Sequence, residues 1–284
     1  MFRKSLIILI VLLAACSPTA GTLTPTPGQS GPSALSVAVA SNDFATGAPR
    51  VPFVLFLGSQ PIGDARSVTV TAFDLSSGTP VPGWSGAATP FTDYELPYWV
   101  VLPEIPSPGY WGLGVIVTLS DGSAMPAQFT IQAMADVSAP AVGEAPPALE
   151  NRTLTTEPDL AKLTSDPAPE AGLYRLTVAE ALASGKPSVV VVATPGFCES
   201  RLCAPVVDSV KAVYARLKDQ VNFIHIEVYQ TFDPLVYGPE MDAWHLTSEP
   251  WTFVLDRDGK VVHRLGGPVS PEELSAALAP LVAP

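Results

Sequence analysis

Basic residues are scarce in this chain of 284, with Lys and Arg numbering 15 against 27 Asp and Glu, a formal net charge of −12. The acid is spread along the sequence and not gathered in one tail, which argues against nucleic acid and anionic lipid surfaces as partners. Long apolar runs are lacking too. Beyond the N-terminus none approaches about 18 residues, so nothing else is built to span a bilayer as a helix. Cysteine and histidine occur three times each, as Cys16, Cys198, Cys203 and His225, His245, His263. Residues 34–134 hold no His, Cys or Lys and, of the Arg residues, only Arg50 and Arg66. That stretch has little with which to do acid–base or nucleophilic chemistry, which confines the chemistry to the remainder.

The N-terminus addresses the chain. Arg3 and Lys4 precede an apolar core from Leu6 to Leu13, too short to remain as a span, and Leu13-Ala14-Ala15-Cys16 follows. This resembles a bacterial lipobox, which implies a signal peptide over 1–15, cleavage before Cys16, lipidation of that cysteine and retention on the extracytoplasmic side of the cell membrane. An ordinary secretory signal that happens to contain a cysteine is the plainer alternative. Removal of the two basic residues takes the formal charge from −12 to about −14. An exported, oxidising location favours pairing of nearby cysteines.

Residues 16–33 are rich in Pro, Thr, Gly and Ser without apolar periodicity and predict a flexible tether. Over 34–134 the signals are β. Val51–Leu57 is a buried run; Val68–Phe73, Tyr98–Leu102 and Trp111–Val117 alternate; Gln128–Ile131 closes the set. Turns such as Ser77-Gly78-Thr79-Pro80 and Asp121-Gly122 separate them, and short strands at this spacing without helical segments predict an immunoglobulin-like sandwich. Trp84, Trp99 and Trp111 read as core and strand-face residues. Residues 135–171, rich in Ala, Pro and acid, predict an interdomain linker without a core of its own, free to pack across a neighbouring surface.

From 172 to 284 helix and strand alternate. Thr177-Val178-Ala179-Glu180 is a capping box opening a short helix, and Ser188–Ala193 reads as a strand buried on both faces. A helix to Leu217 carries Val206, Val207, Val210 and Val213 on one stripe, and Val221–Val228 is the next strand. Trp251–Leu255, the turn Asp256-Arg257-Asp258-Gly259 and Val261–Leu265 predict a hairpin, and Ser270-Pro271-Glu272-Glu273 opens a last helix.

Between the buried strand and the Val206 helix lie Pro195-Gly196-Phe197-Cys198 and, after four residues, Cys203. A helix N-terminus offers unpaired N–H groups and partial positive charge, which favour thiolate over thiol. Residues five apart in a regular helix have Cα atoms roughly 8.6 Å apart, whereas a disulfide needs roughly 4.4–6.8 Å. If the two pair, Cys198 therefore sits in the loop and Cys203 near the first helical turn. Cys203 also falls on the buried stripe, so a small core residue is its plain alternative. Cys198 is the better nucleophile.

The order of elements over 172–284 resembles the thioredoxin fold, and the whole arrangement resembles bacterial extracytoplasmic thioredoxin-domain lipoproteins. Phe197-Cys198 follows the central strand, Ala204-Pro205-Val206-Val207 resembles the family's helix-bending proline, and Glu249-Pro250-Trp251 resembles its cis-proline strand facing the thiol. The resemblance implies a thiol–disulfide oxidoreductase acting on exported proteins that carry thiols or disulfides. Cys198 and Cys203 are then catalytic, Glu249, Pro250 and Trp251 contact substrate, and no cofactor is needed.

The chain departs from the pattern in having four residues between its cysteines where the family has two, and no acid within Val189–Val192. Glu199 and Glu249 favour the neutral thiol, and Arg201 offsets them in part, so a thiol less acidic than that of a dedicated oxidant is expected. A copper reading draws on Sco-type chaperones, exported thioredoxin folds with two cysteines and a distant His. Cys198, Cys203 and His245 would then form a soft site suited to Cu(I), while His225 and His263, within strands, read as structural. A third reading is a non-catalytic interaction module with a permanent bridge.

Overall fold

A computed structural model describes residues 35–282. The expected signal peptide, tether and lipidation site at Cys16 lie outside them.

The N-terminal part is a two-sheet β-sandwich. Its strands are β1 (Leu35–Val39), β2 (Phe44–Ala45), β3 (Val51–Leu57), β4 (Gln60–Pro61), β5 (Ser67–Asp74), β6 (Val81–Ala87), β7 (Thr89–Phe91), β8 (Tyr98–Val101), β9 (Gly109–Thr118) and β10 (Ala124–Met134). One sheet runs β1-β3-β8-β7 with β4 on β3, the other β2-β10-β9-β5-β6. The period-2 pattern decides what the sheets enclose. Val68, Val70 and Ala72 of β5 and Trp111, Leu113, Val115 and Val117 of β9 point inward against Phe53, Leu55, Trp99 and Val101. The weakly patterned strands β1, β2, β4, β6 and β7 are additions to the predicted set. β6 carries Pro82, Gly83 and Gly86, which lower strand propensity, and is held by β5 across six residue pairs.

β3 and β8 do not follow the one-face-wet rule. Val54, Tyr98 and Val100 on their outward face are buried as well, with Tyr94 from the preceding loop. What covers that face is the C-terminal domain.

That domain contains α2 (Val178–Ala183), β11 (Ser188–Ala193), α3 (Cys203–Leu217), β12 (Asn222–Glu227), β13 (Tyr229–Phe232), β14 (Leu235–Tyr237), α4 (Pro239–Ala243), β15 (Trp251–Leu255), β16 (Val261–Gly266) and α5 (Pro271–Val282), after a short α1 (Leu160–Leu163). The sheet order is β12-β11-β15-β16, with β11 and β12 parallel and the other pairs antiparallel. The valines of β11 divide by parity between two cores. Val189 and Val191 face Val206, Val210 and Leu274, on α3 and α5. Val190 and Val192 face Val178, Ala181 and Trp244, on α2 and beside α4. The predicted capping box is present: Glu180 N donates to Thr177 Oγ1 at 3.1 Å and Thr177 N to the Glu180 carboxylate at 2.8 Å.

The stretch 135–171 has no core of its own and packs across the C-terminal domain. Ala139 and Leu149 belong to the α2 side of the domain, and Leu163 belongs to the α3 side. Alternating prolines and acids hide this in sequence, because so few apolar residues are spent on it.

Candidate functional site

β11 ends at Ala193, and the chain turns through Thr194-Pro195-Gly196-Phe197 to Cys198 before α3 begins at Cys203. Cys198 is half-buried in the loop and Cys203 wholly buried; both are free thiols. One cysteine lies outside the helix and the other at its first residue, the placement expected of a pair able to bridge. Arg201, at φ 60, makes the sharp bend between them.

The loop is held from behind by the segment read as linker. Gly196 N donates to Ser165 Oγ at 2.9 Å, and Ser165 donates through Oγ (2.7 Å) and N (2.8 Å) to Glu227 at the end of β12. A side chain on Gly196 would place its Cβ 2.9 Å from Ser165 Cβ, so only glycine allows this approach. Nearby, His225 is buried between the Tyr174 hydroxyl (2.6 Å to Nδ1) and the Ala193 carbonyl (3.0 Å from Nε2), and burial lowers its pKa. It is a structural histidine, as its strand position predicts.

Glu249 supplies the acid that β11 lacks. The Glu249–Pro250 bond is cis. The Glu249 carboxylate accepts from Thr194 N at 2.8 Å and from Cys203 Sγ at 3.4 Å. Donor atoms of Cys198, Cys203 and Glu249 all lie within 4.8 Å of one another. Burial, and secondarily the charge of Cys198, push the Glu249 carboxyl up to about 7.

The two thiols differ in acidity. Cys198 falls to about 5, first because the Cys203 thiol donates to it, then through the Ser200 hydroxyl (3.2 Å) and the N–H groups of Cys203 and Leu202; burial opposes these. A thiol near 5 is well below the ordinary cysteine value, yet still less acidic than the roughly 3.5 of a dedicated oxidant. The carboxylate expected to raise Cys198 is instead bonded to Cys203. Cys203 is pushed far up, by serving as donor to Cys198 and by burial, with the Glu249 charge adding to both.

Other expected site residues fall elsewhere. Trp251 is buried, stacked on Phe253 at 5.5 Å with the Arg264 guanidinium 5.3 Å from its ring centroid, so its side chain belongs to the core and not to a substrate surface. Pro250 is buried beside it, its carbonyl accepting from Gly267 N. His245 is exposed, at φ 52, and stands outside the Cys198–Cys203–Glu249 cluster. The third potential ligand beside the thiols is a carboxylate, not the imidazole of the copper reading.

Two contributors were missed in the sequence. Ser165 lay in a segment without pattern. Tyr94 comes from the sandwich; its hydroxyl is buried without a partner and its pKa is raised by burial, then by the charges of Glu95 and Cys203. No local signal in either segment announces a place beside the thiol site, far along the chain.

Residues 174–281 match the family described as thioredoxin-like domain, and this part of the chain is a thioredoxin-like domain. No curated protein matches the chain. Among solved structures it is similar to a thiol:disulfide interchange protein of the thioredoxin family from Chlorobium tepidum TLS, at 17% identity over 51% of this chain and 100% of that one, TM-score 0.36. It is also similar to StoA from Bacillus subtilis, at 18% identity over 33% of this chain and 82% of that one, TM-score 0.27. A third likeness is to the fibronectin type-III domain of human fibronectin type III domain containing protein 3, at 18% identity over 39% of this chain and 94% of that one, TM-score 0.23.

Proposed function

We propose that the chain is a membrane-anchored, extracytoplasmic thiol–disulfide oxidoreductase acting on protein disulfides. The observation that carries this is the asymmetric pair: an accessible, acidic Cys198 beside a buried, weakly acidic Cys203 whose single proton lies between Cys198 and Glu249. Exchange needs an accessible thiolate and a second thiol within bridging reach.

In the reducing direction the Cys198 thiolate attacks one sulfur of a partner disulfide. The partner's S–S bond breaks, a mixed disulfide forms, and the leaving thiolate takes a proton from water. Glu249 then accepts the Cys203 proton, Cys203 Sγ attacks Cys198 Sγ, and the second partner thiolate leaves and is protonated. Two electrons pass from the dithiol to the partner, and the protein keeps a 198–203 disulfide. Loss of the Cys198 charge in the mixed disulfide removes one cause of the raised Glu249 pKa, so the base forms when the second step requires it.

Cys203→Ser should trap partners as stable mixed disulfides on Cys198, and Cys198→Ser should trap none. A Cys203→Ser protein that captures no partner in cells, together with a wild type inert toward a model disulfide, would remove the redox assignment. The anchoring reading rests on the residues around Cys16. Cys16→Ala should shift the protein from the membrane fraction to the soluble fraction; unchanged partitioning would contradict it.

A further inference from the structure

Among the described residues, β13 and β14 form a hairpin that pairs with no other strand. It is inserted between β12 and α4, outside the four-stranded sheet, and its surface is unusually apolar. Leu235, Val236 and Tyr237 are 46%, 39% and 63% exposed. Phe197, the neighbour of Cys198, is 39% exposed and meets Tyr229 edge-on at 5.9 Å and Phe232 at 5.5 Å; Tyr237 stacks on Tyr229 at 4.9 Å. An unbroken aromatic strip thus runs from the reactive loop to the outer strand of the hairpin.

Tyr229 leans on the core of the domain, but Leu235, Val236 and Tyr237 of the outer strand are left to solvent. Exposed apolar side chains normally occur singly, and a contiguous group marks an interaction surface. The two edges of the hairpin also differ. On β13 the Gln230 carbonyl is taken by Arg152 at 2.9 Å. On β14 all three residues are exposed, and its pairing is confined to β13. The strands carry no charged side chain, and Asp233 stands at the turn.

We infer that the β13–β14 hairpin is the substrate-docking element of the thiol site, holding an extended polypeptide segment with apolar side chains flanking its cysteine. This rests on the redox reading and specifies its substrate class. The occupant follows from continuity and chemistry. A segment whose cysteine reaches Cys198 has its neighbouring residues over Phe197, Tyr229 and Tyr237, and the open edge of β14 offers backbone groups to an extended chain. Strands without a charged side chain favour neutral apolar flanks, the kind that folded proteins bury and unfolded ones expose.

The probes are two synthetic peptides, each with one cysteine as a glutathione mixed disulfide, flanked by Phe and Leu in one and by Ser in the other. Their reduction by the full-length reduced protein is followed, with glutathione disulfide as a third substrate. The wild type should reduce the apolar peptide roughly tenfold faster, the effect of burying part of one large side chain. In Leu235→Ser/Tyr237→Ser the ratio between the peptides should fall towards one. A wild type that reduces glutathione disulfide but treats the peptides alike would remove this inference alone; one inert toward all three substrates would remove the redox reading with it. Equal slowing of both peptides in the variant, with the ratio intact, would overturn docking at the hairpin. So would a wild-type dimer in sedimentation that the variant dissolves, since a second copy would then own the strip.

Discussion

Glu249 accepts a hydrogen bond from Cys203 and sits within reach of Cys198, so its charge acts on two thiols of opposite character. Glu249→Gln keeps a group of the same size but removes the base. The mixed disulfide on Cys198 should then resolve roughly a hundredfold more slowly at pH 7, within the usual range for general-base catalysis. Rapid acid quenching of the intermediate measures this, and an unchanged lifetime would show that water accepts the Cys203 proton. The acidity of Cys198 is a separate matter, because its largest cause is the Cys203 thiol. Alkylation of the reduced wild type should rise with pH through a midpoint near 5. In Cys203→Ala, which deletes the donor, the midpoint should move up towards the ordinary value of about 8.5. A midpoint that stays put would assign the acidity to Ser200 and the helix N-terminus instead.

At the scale of elements, Ser165 shows how far the site extends from its cysteines. It links the loop before Cys198 to Glu227, a strand end on the other side of β11. Ser165→Ala leaves Gly196 N without its acceptor and removes one donor to Glu227. The expected cost is about 1–2 kcal/mol of stability, with slower alkylation of Cys198 as the loop loses its fixed position. Urea unfolding and alkylation rates check the two parts, and a loss of stability at unchanged reactivity would limit Ser165 to a structural role. The regular elements were legible because each had a period: the β11 valines, the α3 stripe and the inward β5 and β9 residues all sort as their spacing dictates. Both cysteines were legible for the same reason, since a strand end and a helix start bracket them. Ser165, Tyr94 and the β13–β14 hairpin have no period, and contacts across the chain alone determine their roles. The thiol that Glu249 bonds escaped for a related reason. Sequence puts Glu249 near the thiols but does not say which of the two its carboxylate touches.

Across the whole molecule, the sandwich is fastened to the thioredoxin-like domain by buried charge. Arg50, at the start of β3, grips Glu273 of α5 with both carboxylate oxygens, at 2.6 and 2.8 Å, and donates to the carbonyls of Gly266 (2.7 Å) and Pro268 (2.6 Å). The Tyr98 hydroxyl donates to Glu273 at 2.6 Å and accepts from Ser270 N at 2.8 Å. A second pair, Arg264 with Asp43 at 2.8 Å, is equally buried. Gly267, at φ +80, has the Ala40 carbonyl where a Cβ would stand, so the two surfaces meet backbone to backbone. These contacts also hold Tyr94 in place beside the α3 side of the thiol site. The wild type should therefore melt as one cooperative unit. Arg50→Ala leaves the Glu273 carboxylate and two carbonyls without their cation, in a place where Arg50 and Glu273 side chains are only 8% and 12% exposed. Breaking such a buried pair costs about 3–5 kcal/mol, and calorimetry should show a lower transition that divides in two as the domains uncouple. Replacing both partners, Arg50→Met with Glu273→Met, should cost less than Arg50→Ala alone, because no charge is stranded. A single unshifted transition in Arg50→Ala would mean that the apolar contacts of Tyr94, Tyr98 and Val54 hold the domains together without the ion pair.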